Sequence, residues 1–317
     1  MKTPLAILIC LLIPLSVCTA AENSIVGDWA ITTPTQEAAW LSVSLKEGEP
    51  YAELMWAVGG VRPVSTTHLG QNKISFTRKR KGSEQFFEVS SESGQLTGTL
   101  TSVADQRRTQ QTFTGKRMPP LPAKPDLSKV KFGPKEVLFN GKDLTGWKVT
   151  DETKKNGWSV KDGVMVNDTP KKDFSAYGDH ANIRTVKDFE DFRLHIEFKP
   201  PAGGNSGVYL RGMYEVQVVD RDSKMQGLQG VGSIFGRIKA KENAGKPGGE
   251  WNSYDITLVD RHVTVILNGK KVIDNEPVPG PTGGAIQSDV TMPGPIYLQG
   301  DHTSVVYRNI WIEPVIK

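Results

Sequence analysis

Cysteine is nearly missing from this chain: Cys10 and Cys18 are the only two, and both lie close to the N-terminus. If the chain is cut after Ala20 or Ala21, none remains, which excludes disulfides, thiolate metal ligands and a thiol nucleophile. Long apolar runs are missing too. The longest stretch, residues 5–17, is broken only by Pro14 and Ser16. It falls short of the roughly 20 apolar residues that a bilayer span needs. Lys2 precedes it and the small residues Thr19, Ala20 and Ala21 follow, so residues 1–21 read as a secretory signal peptide. Export to the periplasm or the extracellular space is therefore expected, with no transmembrane segment. An alternative makes Cys18 the acylated first residue of a lipoprotein, since Leu15-Ser16-Val17-Cys18 has the outline of a lipobox, although Val17 suits it poorly. A strong charge of either sign is also absent. The formal net charge is +4, and loss of Lys2 leaves +3, which is no nucleic-acid signature. The run Arg78-Lys79-Arg80-Lys81 ends in Gly82 and reads as the solvated end of a hairpin.

No segment keeps a helical apolar stripe for long. Glycine (32) and proline (20) are plentiful instead, and short alternating runs sit between turn residues, the pattern of an all-β protein. Such runs occupy residues 41–45, 73–77, 85–89 and 95–100. Gly27-Asp28-Trp29 opens this region and Phe113-Thr114-Gly115-Lys116 closes it. Residues 22–117 are thus expected to form a small antiparallel β-barrel or meander with a lipocalin-like look and no readable role. Trp29, Trp40 and Trp56 suit either a pocket lining or, more commonly, a small β core. Prolines 119, 120, 122, 125 and 134 mark residues 118–136 as a linker, because proline cannot donate to a strand ladder and stiffens the chain. A mature chain of roughly 300 residues is long enough for two such cores.

From Val137 onward the segments are more specific. They begin with Leu138-Phe139-Asn140-Gly141 leading to Gly146-Trp147, then Trp158 with Asp162-Gly163-Val164, then Phe189-Glu190-Asp191-Phe192. Gly204-Asn205-Ser206-Gly207-Val208-Tyr209-Leu210-Arg211 and Tyr214-Glu215-Val216-Gln217-Val218-Val219-Asp220 follow. Ser233-Ile234-Phe235-Gly236, Gly249-Glu250-Trp251-Asn252, Leu298-Gln299-Gly300-Asp301-His302 and Tyr307-Arg308-Asn309-Ile310 complete the series. In this order they resemble the 3-keto-disaccharide hydrolase domain family, whose members are also described as 3-keto-glucoside lyases and 3-keto-2-hydroxy-glucal hydratases. The resemblance covers nearly all of residues 137–317 and none of the N-terminal region. It implies a concanavalin-like jelly-roll β-sandwich acting on 3-keto-glucosides or related sugars, with an upstream sugar oxidoreductase to make them. Two departures concern loops: Thr303-Ser304 stands where a glycine is usual, and Lys239-Ala240-Lys241 lies in a loop often richer in proline.

The candidate site comes from strand parity rather than from the resemblance. Side chains alternate between the two faces of a strand. Along 192–198 the apolar set is Phe192, Leu194, Ile196 and Phe198, leaving Arg193, His195 and Glu197 opposite. Along 207–211, Val208 and Leu210 point inward, and Tyr209 and Arg211 outward. Along 214–218, Glu215 and Gln217 point outward. If the three strands are neighbours, one face carries His195, Glu197, Tyr209, Arg211, Glu215 and Gln217. That mixture suits a sugar-binding groove better than a wet outer face, although antiparallel sheets commonly wet one side. Asn205 with its small neighbours, Asp220, Gln299 and the Asp301-His302 pair extend the set. Glu215, Asp301 and His302 are the catalytic candidates; His195, Glu197, Asn205, Tyr209, Arg211, Gln217 and Asp220 are the substrate-binding ones.

A ketone at C3 of a glucoside acidifies the hydrogen on C2, so elimination of the C1 group followed by hydration amounts to hydrolysis. The route needs a base with a pKa near the working pH and a preorganised positive group for the oxyanion. His302 or the Glu215 carboxylate suits the first role. Arg211, or a divalent metal ion held by Glu215, Gln217 and His302, suits the second. Two other readings stay open. Glu215-x-Gln217-x-x-Asp220 has the spacing of the Glu-x-Asp-x-x-Glu strand of jelly-roll β-glucanases, which would make an ordinary glycoside hydrolase. The same architecture also serves non-catalytic carbohydrate-binding proteins.

Overall fold

The computed structural model describes residues 24–80, 82–170 and 179–316, apart from the side chain of Thr67. The signal-peptide and lipobox expectations lie outside the described residues. Within them the chain is all-β. Its first nine strands are β1 (Gly27–Thr32), β2 (Ala38–Lys46), β3 (Glu49–Trp56), β4 (Arg62–Pro63), β5 (Ser65–Leu69), β6 (Lys73–Arg80), β7 (Ser83–Glu92), β8 (Gln95–Ala104) and β9 (Arg107–Arg117). They form one antiparallel sheet in the order β4-β3-β2-β1-β9-β8-β7-β6-β5, which curls so that β3 and β5 meet and the barrel nearly closes.

Two-residue turns with both φ values positive hold the long hairpins, at Glu47 with Gly48, Ser93 with Gly94 and Asp105 with Gln106. This geometry matches the right-handed twist of the strands it joins. Of the basic run, Lys79 and Arg80 are exposed, Arg78 is half-buried, Lys81 lies outside the described residues, and Arg80 pairs with Ser83 at a hairpin end. Alternation fills the barrel interior. Phe76 stacks on Phe87 with centroids 4.7 Å apart, and Trp56 meets Phe87 and Phe113 edge-on at 5.1 and 5.0 Å. Trp29 is fully buried and donates from Nε1 to the Ile25 carbonyl at 2.9 Å. Trp29 and Trp56 are therefore core residues. Trp40 is buried on the other side of the sheet and belongs to the core of the C-terminal half.

Residues 118–136, which turn at 127–129, are fastened to that half. Pro119 and Pro125 accept hydrogen bonds through their carbonyls from Arg261 and Asn275, at 3.0 and 2.9 Å. The remaining strands are β10 (Glu136–Val137), β11 (Trp147–Val149), β12 (Trp158–Lys161), β13 (Val164–Asn167), β14 (Ile183–Thr185), β15 (Phe192–Lys199), β16 (Asn205–Leu210), β17 (Tyr214–Val219), β18 (Asn252–Val259), β19 (His262–Leu267), β20 (Lys270–Pro277), β21 (Tyr297–Leu298) and β22 (Val305–Pro314). They make a two-sheet sandwich. One sheet runs β12-β13-β22-β15-β18-β19-β20, with β10 added beside β22; the other runs β11-β14-β21-β16-β17. Leu194, Ile196 and Phe198 of the first sheet and Val208, Leu210, Val216 and Val218 of the second are all fully buried in one core. Among the described residues no helix is long and apolar enough to cross a membrane.

Candidate functional site

The five-stranded sheet buries one face in the core, and parity sends Asn205, Gly207 and Tyr209 of β16 and Glu215 and Gln217 of β17 to the other. Register aligns them in rows. Tyr209 stands opposite Glu215 on one side and Tyr297 on the other, and the two tyrosine rings lie 4.5 Å apart. In the next row Gly207 faces Gln217, while Gln299 bonds through its N–H to the Gly207 carbonyl. Gly207 is a hole in this surface. A Cβ there would lie 2.4 Å from Glu215 Oε1, so the carboxyl group occupies the space that a side chain would take.

Glu215 is buried, with the Tyr209 hydroxyl and Asp301 close enough to shift its titration. Burial disfavours the carboxylate and pushes its pKa to about 8; the Tyr209 hydroxyl pulls it down and Asp301 pushes it further up. Tyr209 and Tyr297 are raised well above the ordinary tyrosine range, first by burial and then by these same carboxylates. Asp301 in turn bonds to His302, with Oδ1 and Nδ1 2.6 Å apart.

The turn that brings Asp301 and His302 here is clamped from several sides. Asn182 Oδ1 accepts from the N–H groups of Gly300 and Asp301 at 2.6 and 3.1 Å. The departure at Thr303-Ser304 has a visible use. Thr303 Oγ1 accepts from the Asn205 N–H at 2.8 Å and donates to its carbonyl at 3.1 Å; Ser304 Oγ does the same for Thr169, at 3.1 and 2.9 Å. A glycine could make neither clasp. Around the site three buried polar atoms have no hydrogen-bond partner: Asn205 Oδ1, Gln217 Nε2 and Gln299 Oε1. Such atoms are costly unless something else supplies the bond.

Four expectations need correction. His195 and Glu197 are not in this site, because β15 belongs to the other sheet and pairs with β18 and β22. On that outer face His195 stacks on Trp311 and bonds to Asp255, while Glu197 holds Arg308 and Asn309. Arg211 lies in the β16–β17 turn at φ 55°, and its buried guanidinium donates to the carbonyls of Val290 (2.9 Å) and Met292, away from Glu215. Asp220 is committed to backbone, accepting from Gly203 and Asp222 at 2.7 and 2.9 Å. Lastly, Glu215 is buried and not a residue of an open groove. For the divalent metal, no group of three or more His, Cys, Asp or Glu side chains among the described residues is arranged to hold an ion. Glu215 and His302 thus gain no third His, Cys, Asp or Glu ligand, and no step is routed through a metal. Tyr297 and Asn182 were missed. Parity with Gln299 could have placed Tyr297 on the face, whereas no sequence signal marks Asn182.

A curated relative, the 3-keto-disaccharide hydrolase of Bacteroides thetaiotaomicron, is 25% identical over 165 residues, 44% of this chain and 57% of that protein. The chain thus spans little more than half the length of that relative. A crystal structure of a candidate glycosyl hydrolase from Parabacteroides distasonis is 25% identical, covers 57% of this chain and 94% of its own, and superposes with a TM-score of 0.46. An endo-beta-1,3(4)-glucanase of family GH16 superposes at 0.36 with 12% identity, over 62% of this chain and 94% of its own. Residues 134–313, more than half of the chain, match the 3-keto-alpha-glucoside-1,2-lyase-like domain, and the chain belongs to that family.

Proposed function

We propose that this protein is an exported enzyme that cleaves 3-keto-glucosides by elimination and hydration, with Glu215 and the Asp301–His302 pair as its acid–base groups. The observation that carries this reading is a buried carboxyl group, its pKa raised to about 8 by that burial, beside a paired aspartate and histidine on a face lined with polar atoms that lack protein partners. A group with a pKa near the working pH serves as acid or base. His302 turns Nδ1 to Asp301, so Nε2 is the ring nitrogen assigned to removal of the C2 hydrogen. Protonated Glu215 then gives its proton to the oxygen leaving C1, and the electron pair of the broken C2–H bond becomes the C1=C2 bond of a 2-hydroxy-glucal. Addition of water, hydroxyl to C1 and proton to C2, completes a net hydrolysis and returns both groups to their starting states. Asn205, Gln217 and Gln299 would meet the sugar hydroxyls.

The glucanase-like alternative loses its third acid, since both oxygens of Asp220 are held by backbone N–H groups. The substrate must come from an oxidation of the C3 hydroxyl of a glucoside, the work of a separate oxidoreductase. Export rests on the pattern of residues 1–21, and N-terminal sequencing of the secreted form checks it. The central test incubates the purified mature chain with 3-keto-glucosides and their unoxidised parents in deuterated water, followed by mass spectrometry. Turnover of the keto sugars with deuterium at C2 is expected. Efficient cleavage of the parents without exchange would establish ordinary glycoside hydrolysis instead.

A further inference from the structure

The barrel of residues 27–117 has no site of its own in the proposed reaction, yet several of its contacts fall on one segment of the sandwich, residues 279–292. Gly280 lies against the Trp40 indole, where a Cβ would come within 2.5 Å of the ring. The Trp40 ring also receives the Arg237 guanidinium at 4.4 Å, and Arg237 donates from Nε and Nη2 to the Pro281 carbonyl at 2.8 and 2.7 Å. Gly283 sits directly on the backbone of Gly59, and the Gly284 N–H bonds to the Ala57 carbonyl at 2.8 Å. Ala57 itself takes φ 58°, a conformation disfavoured for a residue with a Cβ and sustained by its surroundings. Farther along, Ser288 Oγ donates to the Ile31 carbonyl at 3.0 Å and Asp289 pairs with Lys116.

The inner side of the same segment grips the site. The Gly283 carbonyl accepts from Tyr209 OH at 2.8 Å, and Thr282 Oγ1 accepts from the Glu215 N–H at 3.0 Å. Tyr209 has one hydroxyl hydrogen. While it points at Gly283 it is withheld from Glu215, and donation to the carboxylate is what would pull the pKa of that group down. The other titratable neighbours of Glu215 are Asp301, Tyr297, Tyr254 and Tyr307. None of them lies in the barrel.

We propose that the barrel is a positioning element of the active site: through residues 279–292 it fixes the Gly283 carbonyl and thereby the direction of the Tyr209 proton beside Glu215. The consequence for catalysis rests on the role proposed for Glu215, whereas the positioning itself does not. Trp40→Ala in the full chain is the test, with Trp40→Phe as the conservative control. Two readouts need no substrate: amide hydrogen exchange at Gly284 and Ile286, and the carboxyl carbon-13 titration of Glu215. Expected are a tenfold or greater loss of amide protection and a Glu215 titration displaced toward the ordinary carboxylate range, both recovered in the phenylalanine variant. With a 3-keto-glucoside, kcat should fall tenfold or more while KM changes less. If Trp40→Ala does not fold, Ser288→Ala removes a single barrel contact and should move both readouts in the same directions by a smaller amount. A folded variant with unchanged exchange and unchanged titration would overturn the proposal. A parent protein that turns over no keto sugar would refute the reaction and leave these two measurements to decide the positioning.

Discussion

Glu215 carries a single ionisable proton whose affinity changes on folding. The folded chain holds it up to about pH 8, whereas an ordinary glutamate releases it near 4.5. Between those values the folded state binds more protons, so the unfolding free energy falls as pH rises. The contribution is complete below the unfolded pKa and is lost once the pH passes the folded one, at roughly 1.4 kcal/mol for each unit of displacement. Glu215→Gln should therefore flatten the decline in stability between about pH 5 and pH 9, measured by urea unfolding across that range. The same variant should lower turnover by about 10²- to 10⁴-fold, the usual worth of a positioned acid or base. Gly207→Ala offers an independent check. Its methyl group would occupy the volume now held by the Glu215 carboxyl, so turnover should fall at least tenfold while circular dichroism stays unchanged.

At the level of strands, the outward set of β16 and β17 was legible because hydrophobic alternation there is strict, and parity alone put Tyr209, Glu215 and Gln217 together. The same rule failed for β15. Alternation says which side of its own strand His195 occupies and nothing about which sheet the strand joins, and here β15 and β16 sit in opposite layers. Arg211 failed for a related reason: the strand ends at Leu210 and the turn at φ 55° breaks the alternation one residue early. The placement of Asp301 and His302 beside Glu215 depends on Asn182 and Thr303 clamping a loop, contacts across more than ninety residues that no local pattern encodes. In the barrel, β8 and β9 meet where Gly98 makes room for the Phe113 ring, which a Cβ would approach to 2.1 Å. Gly98→Val should cost at least about 1–3 kcal/mol by overpacking, read as a lowered urea midpoint.

For the molecule as a whole, the proline-rich stretch read as a divider between two bodies, whereas the burial pattern joins them. Ala30, Trp40 and Met55 of the barrel are buried in the same apolar cluster as the sandwich core. Stripping the barrel away would expose the apolar surface they cover, and apolar exposure costs roughly 25 cal/mol per Å². The two halves should thus unfold in one transition. Barrel and sandwich tryptophans followed separately, after replacement of one set by phenylalanine, should report coincident midpoints; two resolved transitions would show that the halves hold together only weakly.

The seam between the halves is partly glycine on glycine: Gly236 against Gly60, and Gly283 against Gly59. No side chain mediates there, so no side chain can be adjusted to accommodate a stranger. A chimera that joins this sandwich to another barrel through the natural proline stretch would keep the connection and lose the fit. Modular exchange in this architecture is therefore limited by a few bare backbone positions and not by the length or composition of the tether.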